Sequence, residues 1–264
     1  MTTLAGYIYL LRSKSGRVKV EVYDGITYRY DRSLTVPNAK RVGDMTSCEH
    51  NRCLYISNHD DKCQCVHRVE VQGEVTQWAV NDEPTSLSVN AEYNVIVTCP
   101  KARKIKVFSS RGERLRELTL RDNVTNPSHA VQIRSGQFIV CHGSFRINDT
   151  NHRVCMMSAD GDDDLRIVYA HGGPRGSDNE QYNVPLRVAV DDDESVFVGD
   201  NHNCRVTLLS PTLEYIREVV PGDKLKWRLA RIHLQQQKRL LYVAENEWSN
   251  NTWAELGRVA VFSV

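Results

Sequence analysis

Residues 184–209 read VPLRVAVDDDESVFVGDNHNCRVTLL, and this stretch decides the fold. A short apolar strand is followed by an acidic turn, the apolar run 196–198 and a polar turn at 199–203. A third strand, Arg205–Leu209, follows directly. Three short strands joined by tight polar turns are typical of an antiparallel meander. Because a meander of this size cannot cover both of its faces alone, the pattern predicts further copies along the chain.

Copies of this pattern are present on both sides of the stretch. Their central apolar runs are centred on Tyr55, Ile96, Phe138, Phe197 and Tyr242, which gives spacings of 41, 42, 59 and 45 residues. The long spacing contains two insertions, 144–151 and 172–183. A period of about 40–45 residues with four strands per unit is propeller spacing. The second strand of each copy is apolar on consecutive residues, as expected where neighbouring blades cover both faces of a sheet.

The sequence therefore predicts an all-β fold, a six-bladed β-propeller of four-stranded antiparallel blades in one domain over residues 1–264. The predicted blades are 1–37, 42–80, 83–120, 126–170, 184–220 and 226–264. No first strand is expected ahead of Tyr7, and the last copy ends at Val264 after its third strand. We therefore expect incomplete first and last blades. We favour the interpretation that the chain is an N-terminally shortened form of a longer protein, and the alternative is that Val259–Val264 and Tyr7–Leu11 lie near an imperfect seam.

Composition sets limits on partners and compartment. The chain of 264 residues is 41% hydrophobic and 25% charged, with a formal net charge of +1. A charge this close to zero does not favour a general attraction to nucleic acid or membranes, so any basic surface must be local. No apolar run approaches the roughly 20 residues of a membrane span, and no secretory signal is recognisable. We expect a cytoplasmic protein that makes no contact with membranes or DNA.

The eight cysteines are expected to be buried free thiols for the most part, with disulfides or metal binding as the alternative. Cys48 and Cys53 flank a four-residue turn and could face each other on a hairpin. Cys63 and Cys65 are more closely spaced than the usual pair of zinc ligands, which are separated by two to four residues.

The segment 184–206 resembles the NHL repeat, in which a proline precedes an apolar-Ala-Val-Asp step and a later Asp-x-x-Asn-x-Arg-Val step. Pro185, Asp200, Asn203 and Arg205 match that pattern, whereas other copies match it in part. The resemblance covers essentially the whole chain and is specific for fold. The chain is similar to the NHL domains of tripartite-motif-like proteins of invertebrate animals. Those domains recruit a protein or bind RNA for a ubiquitin-ligase assembly. No RING, B-box or coiled-coil segment is present in this sequence, so the resemblance implies a recognition module without ligase chemistry.

One face of a propeller gathers the loops between second and third strands and the loops between blades. Basic residues of these loops form the candidate partner-binding set, which is Lys101, Arg103, Lys104, Arg146, Arg175, Lys224 and Lys226. Such a rim would attract acidic peptide or phosphate. The alternative is a solvated rim, because aspartates share the same loops. Trp227, Trp248 and Trp253 lie near the last loops and are either exposed binding residues or buried ones.

Histidines provide the alternative, catalytic hypothesis. His142, His152 and His202 fall on the same predicted face, and three convergent imidazoles could hold zinc, as in the lyase relatives of this fold. Asp200, Asn201 and His202 also have a structural interpretation, in which the Asp and Asn side chains bond the backbone of their own turn. No Glu, Asn and Asp set typical of calcium-dependent lactonases is recognisable.

The sequence thus favours a non-catalytic module without a cofactor, which binds a protein segment or, second, single-stranded RNA. The alternative is a metal-dependent hydrolase or lyase that uses zinc or calcium in a central channel.

Overall fold

A computed structural model describes residues 1–14, 17–143, 151–159, 161, 163–249 and 252–264. The described chain is almost entirely β-strand, and each strand is antiparallel to the next within a blade. The chain separates into two compact units, residues 1–119 and 120–264, which are described in turn. None of the helices in these ranges has the length and hydrophobicity of a membrane span.

Three blades belong to the first unit. The first has β1 (Thr2–Leu4), β2 (Tyr7–Lys14), β3 (Arg17–Asp24) and β4 (Tyr30–Thr35). The second has β5 (Val42–Cys48), β6 (Cys53–Asp60), β7 (Cys63–Glu70) and β8 (Val75–Ala79). The third has β9 (Ser86–Val89), β10 (Val95–Cys99), β11 (Lys104–Phe108) and β12 (Arg114–Leu120). In each blade the strands pair in chain order.

Three further blades belong to the second unit. The fourth has β13 (Pro127–Gln132), β14 (Phe138–His142), β15 (His152–Ala159) and β16 (Asp164–Gly173). The fifth has β17 (Pro185–Val190), β18 (Val196–Asp200), β19 (Arg205–Leu209) and β20 (Tyr215–Val220). The sixth has β21 (Arg228–Gln235), β22 (Leu240–Ser249) and β23 (Thr252–Ser263). Two short 3-10 helices, Gly222–Lys224 and Gln236–Lys238, flank β21.

Apolar cores lie between consecutive blades of each unit. In the first unit, Tyr9 and Val20 pack with Leu54 and Ile56 of the next blade. In the second unit, Phe197 belongs to a cluster that also contains Leu241. Buried side chains that join the facing surfaces of successive sheets are the packing expected of a propeller. The all-β propeller class predicted from the sequence is therefore confirmed.

The first blade corrects one expectation. The strand Thr2–Leu4 precedes Tyr7 and pairs antiparallel with β2, with Thr2 opposite Tyr9 and Leu4 opposite Tyr7. Leu4 is fully buried. The expected absence of a first strand was wrong, because residues 2–4 are short and polar on two of three positions and do not resemble the apolar first strands of other copies. In the sixth blade, three strands are present among the described residues, as expected.

The cysteines correct a second expectation. Cys63 and Cys65 form a disulfide across one intervening residue of β7. Five of the other cysteines are free and buried, as expected, namely Cys48, Cys53, Cys99, Cys141 and Cys155. The sixth, Cys204, is free and partly exposed. Alternate residues of a strand point to the same face, which brings the two sulfur atoms together. The spacing rule for zinc ligands does not take this strand geometry into account.

Candidate functional site

The polar turn of the fifth blade is held by a buried ion pair. Asp200 ends β18 and lies opposite Arg205, the first residue of β19. The Asp200 carboxylate is fully buried and accepts hydrogen bonds from Asn183 N (2.8 Å), Asn203 Nδ2 (2.6 Å) and Arg205 Nε (3.2 Å). Burial raises the pKa of Asp200 to about 6, because the loss of hydration outweighs these stabilising contacts.

Arg205 fixes the loop that joins the fourth and fifth blades. Its guanidinium donates to the carbonyl oxygens of Ser177 (2.8 Å), Asp178 (2.9 Å) and Gln181 (2.8 Å), and to Glu218 Oε1 (3.1 Å). These three bonds tie the mostly exposed segment 177–181 to the buried Arg205 side chain.

Other side chains of the same turn also bond outside it. Asn203 Nδ2 donates to the Gly176 carbonyl at 2.8 Å, and Asn201 Nδ2 donates to the Leu229 carbonyl. The structural interpretation of this turn therefore needs a correction. Asp200, Asn201 and Asn203 bond mainly the neighbouring inter-blade segments, and not the backbone of their own turn. The turn holds in place the loop that carries Arg175.

Two arginines and two histidines meet on these loops, and we call His152, Arg175, His202 and Arg228 the Arg–His cluster. They come from the start of β15, the segment between β16 and β17, the β18–β19 turn and the start of β21. Arg175 Nε lies 3.4 Å from His152 Nε2, and Arg228 Nη1 lies 3.0 Å from His202 Nε2. His152 is fully buried, while the other three side chains are partly exposed and accessible from solvent.

His152 is contacted on both of its ring nitrogens. The backbone N–H of Val184 donates to His152 Nδ1 at 3.0 Å. Arg175 Nε donates to His152 Nε2 at 3.4 Å. A neutral imidazole has one acceptor nitrogen and arginine has donors only, so the two N–H groups compete for this ring.

The pKa of His202 shows that the local electrostatic field is positive. Its pKa is lowered to about 4 by burial and then by the positive charges of Arg228, Arg175 and His152. His202 is therefore neutral at pH 7, and its Nε2 accepts from Arg228. All three of these electrostatic neighbours are cationic or can become so. The Arg–His cluster consequently has the electrostatic character of an anion-binding site.

The remaining sequence-predicted residues of the second unit lie outside the cluster. Lys226 packs over the Trp227 ring, with Nζ 4.7 Å from the ring centroid, and Lys224 Nζ lies 3.6 Å from Asp223. Buried Glu245 fixes this segment by accepting hydrogen bonds from the backbone N–H groups of Lys226 (2.6 Å) and Trp227 (2.8 Å). Arg146 lies outside the described residues, as do the side chains of Trp248 and Trp253.

Arg228 was missed by sequence reasoning. It is the first residue of β21 and was not among the loop residues predicted for the binding face. Arg205 was singled out only as a repeat residue. A usable signal was present, because Trp227 and Arg228 stand where the first strand of every copy begins, close to the loops of the preceding blade.

Lys101, Arg103 and Lys104 lie in the first unit. Lys101 pairs with Glu83, and its side chain is 80% exposed. Lys104 pairs with Glu117, which also accepts from Lys106. Arg103 is exposed and has a left-handed backbone with φ of 53°. The carboxylates offset part of this positive charge, which weakens the case for these residues as an independent binding surface.

A basic groove in the first unit was not anticipated. Its volume is about 910 Å³, and its lining includes Arg12, Arg17, Lys19 and Lys40. Glu21 lies 3.1 Å from Arg12 and 2.9 Å from Lys19 and neutralises part of this surface. No sequence pattern predicts this groove, because its residues come from a hairpin and an inter-blade segment of the least regular copy.

The three histidines of the catalytic hypothesis have separate neighbours. His142 is buried, with Nε2 3.5 Å from Cys155 Sγ, whereas His152 and His202 belong to the Arg–His cluster. Within the part of the chain that the structure describes, one group of three potential ligands has all its donor atoms within 4.8 Å of one another, and it is Cys63, Cys65 and His67. Zinc binding by His142, His152 and His202 stays a prediction.

No protein-family model and no curated protein matches this sequence. Solved structures do resemble it. A protein of unknown function from Bacteroides caccae has a TM-score of 0.69 at 11% identity, with 92% of this chain and 84% of that chain covered. Hydrazine synthase of Kuenenia stuttgartiensis has a TM-score of 0.67 at 13% identity, with coverage of 100% and 94%. A streptogramin B lyase has a TM-score of 0.58 at 15% identity, with coverage of 88% and 71%. At these identities the likeness shows the fold alone.

Proposed function

We propose that this chain is a non-catalytic recognition module whose Arg–His cluster binds an acidic segment of a partner protein. The observation that carries the proposal is the grouping of four basic side chains, in which Arg175 Nε lies 3.4 Å from His152 Nε2 and Arg228 Nη1 lies 3.0 Å from His202 Nε2. Such a grouping favours an anion, and a guanidinium presents its donors in a fork that suits a carboxylate or phosphate.

Rigidity supports binding at this place. The loop that carries Arg175 is held by Arg205 and Asn203 through carbonyl contacts of 2.8–2.9 Å. The basic side chains are therefore positioned before a ligand arrives, and less entropy is lost when it binds. A protein segment is favoured over RNA because the chain has a net charge of only +1, whereas RNA affinity depends on many phosphate contacts with basic residues.

The NHL resemblance gives this proposal its cellular setting. In that setting the module recruits substrate for a ubiquitin-ligase-like assembly in the cytoplasm. The resemblance supports this setting through Pro185, Asp200, Asn203 and Arg205, and of these Asp200, Asn203 and Arg205 hold the binding loop by direct contacts.

Fluorescence anisotropy with a labelled oligo-glutamate peptide and a single-stranded RNA of equal charge tests the proposal. The double variant Arg175→Gln/Arg228→Gln should weaken peptide binding by about 100-fold or more, because each of the two charge-assisted hydrogen bonds contributes about 1.5–3 kcal/mol. The matched control is Arg166→Gln/Arg217→Gln, which removes the same charge from exposed positions on the outer strands β16 and β20.

Equal losses in the two double variants would show a general charge effect and contradict the proposal. Binding of RNA that exceeds peptide binding and depends on Arg175 would replace the protein partner with RNA.

The alternative function is a metal-dependent hydrolase or lyase. One observation favours it, namely that solved streptogramin-type lyases share this fold. Elemental analysis of the purified protein tests it directly, together with His142→Ala. Stoichiometric zinc or calcium that is lost in this variant would favour the enzyme hypothesis over the recognition module.

A further inference from the structure

Strand β7 of the first unit begins with three metal-ligating residues on one face. Cys63, Cys65 and His67 alternate along the strand, and alternate residues of a strand point to the same side of the sheet. Their donor atoms all lie within 4.8 Å of one another. This site is separate from the Arg–His cluster and does not depend on the function proposed for that cluster.

The distances suit a small thiophilic ion. Cys65 Sγ lies 3.6 Å from His67 Nε2. In a tetrahedral zinc site, bonds of about 2.3 Å to sulfur and about 2.0–2.1 Å to nitrogen place those two atoms about 3.5 Å apart. The sulfur of Cys65 and the imidazole nitrogen of His67 are therefore already at the separation that two ligands of one ion require.

Burial adds a second, independent observation. His67 is fully buried, and its Nδ1 has no hydrogen-bond partner among the described residues. A buried imidazole whose polar neighbour is a sulfur atom lacks a strong partner, and a metal ion at Nε2 would supply one.

The surroundings of the sulfur atoms also fit. Asn58, which lies opposite Cys65 on β6, directs Nδ2 to Cys65 Sγ at 3.8 Å. Arg41 N donates to Asn58 Oδ1 at 3.2 Å and fixes the orientation of that amide. Such outer contacts stabilise a thiolate ligand. Asp60 lies opposite Cys63 at the partly exposed end of the group, where a fourth ligand would enter.

We propose that Cys63, Cys65 and His67 bind one closed-shell thiophilic ion, Zn²⁺ or Cu⁺, when the two cysteines are reduced. The disulfide between Cys63 and Cys65 is then the state that excludes the ion. A dithiol reductant transfers two electrons and two protons to the disulfide and becomes a disulfide itself. Binding of the ion afterwards displaces the two thiol protons, because the ligands are thiolates.

Anaerobic titration of the full chain tests this site in both redox states. The protein is reduced with dithiothreitol, freed of reductant, and titrated with Zn²⁺ or Cu⁺ against a chromophoric competitor. One ion per chain should bind to the reduced protein and none to the disulfide form. Loss of a contact that only supports a ligand lowers metal affinity about 10- to 100-fold, and His67→Gln should lower it by more than that. Cys65→Ser should abolish binding.

His59→Gln is the matched control. His59 lies on the adjacent strand of the same sheet, opposite Gln64, and is not a member of the group. Its substitution should leave the affinity unchanged. Co²⁺ binding by the unaltered protein provides a measurement that does not depend on the folding of variants, since thiolate ligands give an intense sulfur-to-cobalt absorption.

Three outcomes would overturn the proposal. They are binding that is equal in the reduced and disulfide forms, binding that is unaffected by His67→Gln, and cobalt binding without a thiolate band. Preference for Zn²⁺ over Cu⁺, or the reverse, identifies the ion and supports the site.

Discussion

Replacement of Arg205 by alanine should be among the most destabilising single changes in the second unit. The Arg205 side chain is 6% exposed and contacts two carboxylates, at 3.2 Å in Asp200 and 3.1 Å in Glu218. It also bonds three loop carbonyls. Loss of one partner from a buried ion pair costs about 3–5 kcal/mol, because the other charge stays buried without compensation.

Arg258 is the natural comparison. It occupies the same register in the sixth blade, opposite buried Glu245, but its side chain is 40% exposed. Arg258→Ala should therefore cost only about 1–2 kcal/mol, since exposed pairs contribute little and Glu245 retains two backbone donors. For cooperative unfolding, the unfolding entropy is about 2.1 cal/mol/K per residue over 264 residues. Arg205→Ala should then lower Tm by about 5–9 °C, and Arg258→Ala should lower it by about 2–4 °C.

The pH dependence gives the sharper assay. The pKa of Asp200 is about 6 in the folded protein and about 4 in the unfolded chain, so the native state binds more protons between these values. Removal of Arg205 raises the folded pKa further. At pH 5 Asp200 is then neutral, so the deficit of Arg205→Ala should be smaller at pH 5 than at pH 7.5. Urea unfolding followed by tryptophan fluorescence measures both deficits. Equal losses for the two arginine variants, or a deficit independent of pH, would refute this reasoning.

Three further predictions concern the site and the first blade. A bound anion should raise the pKa of His202 from about 4, so affinity for oligo-glutamate should increase as the pH falls from 7 to 5. His202→Gln should remove this increase when the parent protein and the variant are both titrated by anisotropy. Leu4→Ala should lower the free energy of unfolding in urea by about 2–5 kcal/mol, because Leu4 is fully buried. Leu115→Ala, at a position 45% exposed, should lower it little. Equal losses would contradict the placement of β1. Gly172→Ala should lower Tm and weaken peptide binding, because φ is +102° there and an added Cβ would lie 2.4 Å from the carbonyl oxygen of His152; an unchanged Tm would show that the strand moves aside.

The repeat pattern predicted the fold because the propeller depends on periodic burial. Runs such as residues 196–198 are buried on both sides of their sheet, and that requirement leaves a direct signal in the sequence. The strand Thr2–Leu4 escaped detection because an innermost strand of three residues needs only one apolar side chain, Leu4, to join the core.

The candidate site was predictable only in part, for a different reason. The sequence pattern places Arg175, His152 and His202 near one predicted face, but their mutual distances depend on the path of residues 176–183. That path is determined by side-chain bonds to carbonyl groups, which carry no sequence signal of their own. The Cys63, Cys65 and His67 group was overlooked because ligand-spacing rules describe turns and helices better than strands.

The best-preserved copy of the repeat has two roles that the structure separates. Asp200 and Arg205 are buried, Asn203 is partly buried, and all three bond the inter-blade loop. Arg175, His202 and Arg228 are partly exposed and form the accessible surface. If the first group positions the second, then Asn203→Ala should weaken peptide binding although it removes no charge, because the Gly176 carbonyl loses its donor and the Arg175 loop loosens. An Asn203→Ala variant that binds as tightly as the parent protein would show that Arg175 is positioned by other contacts.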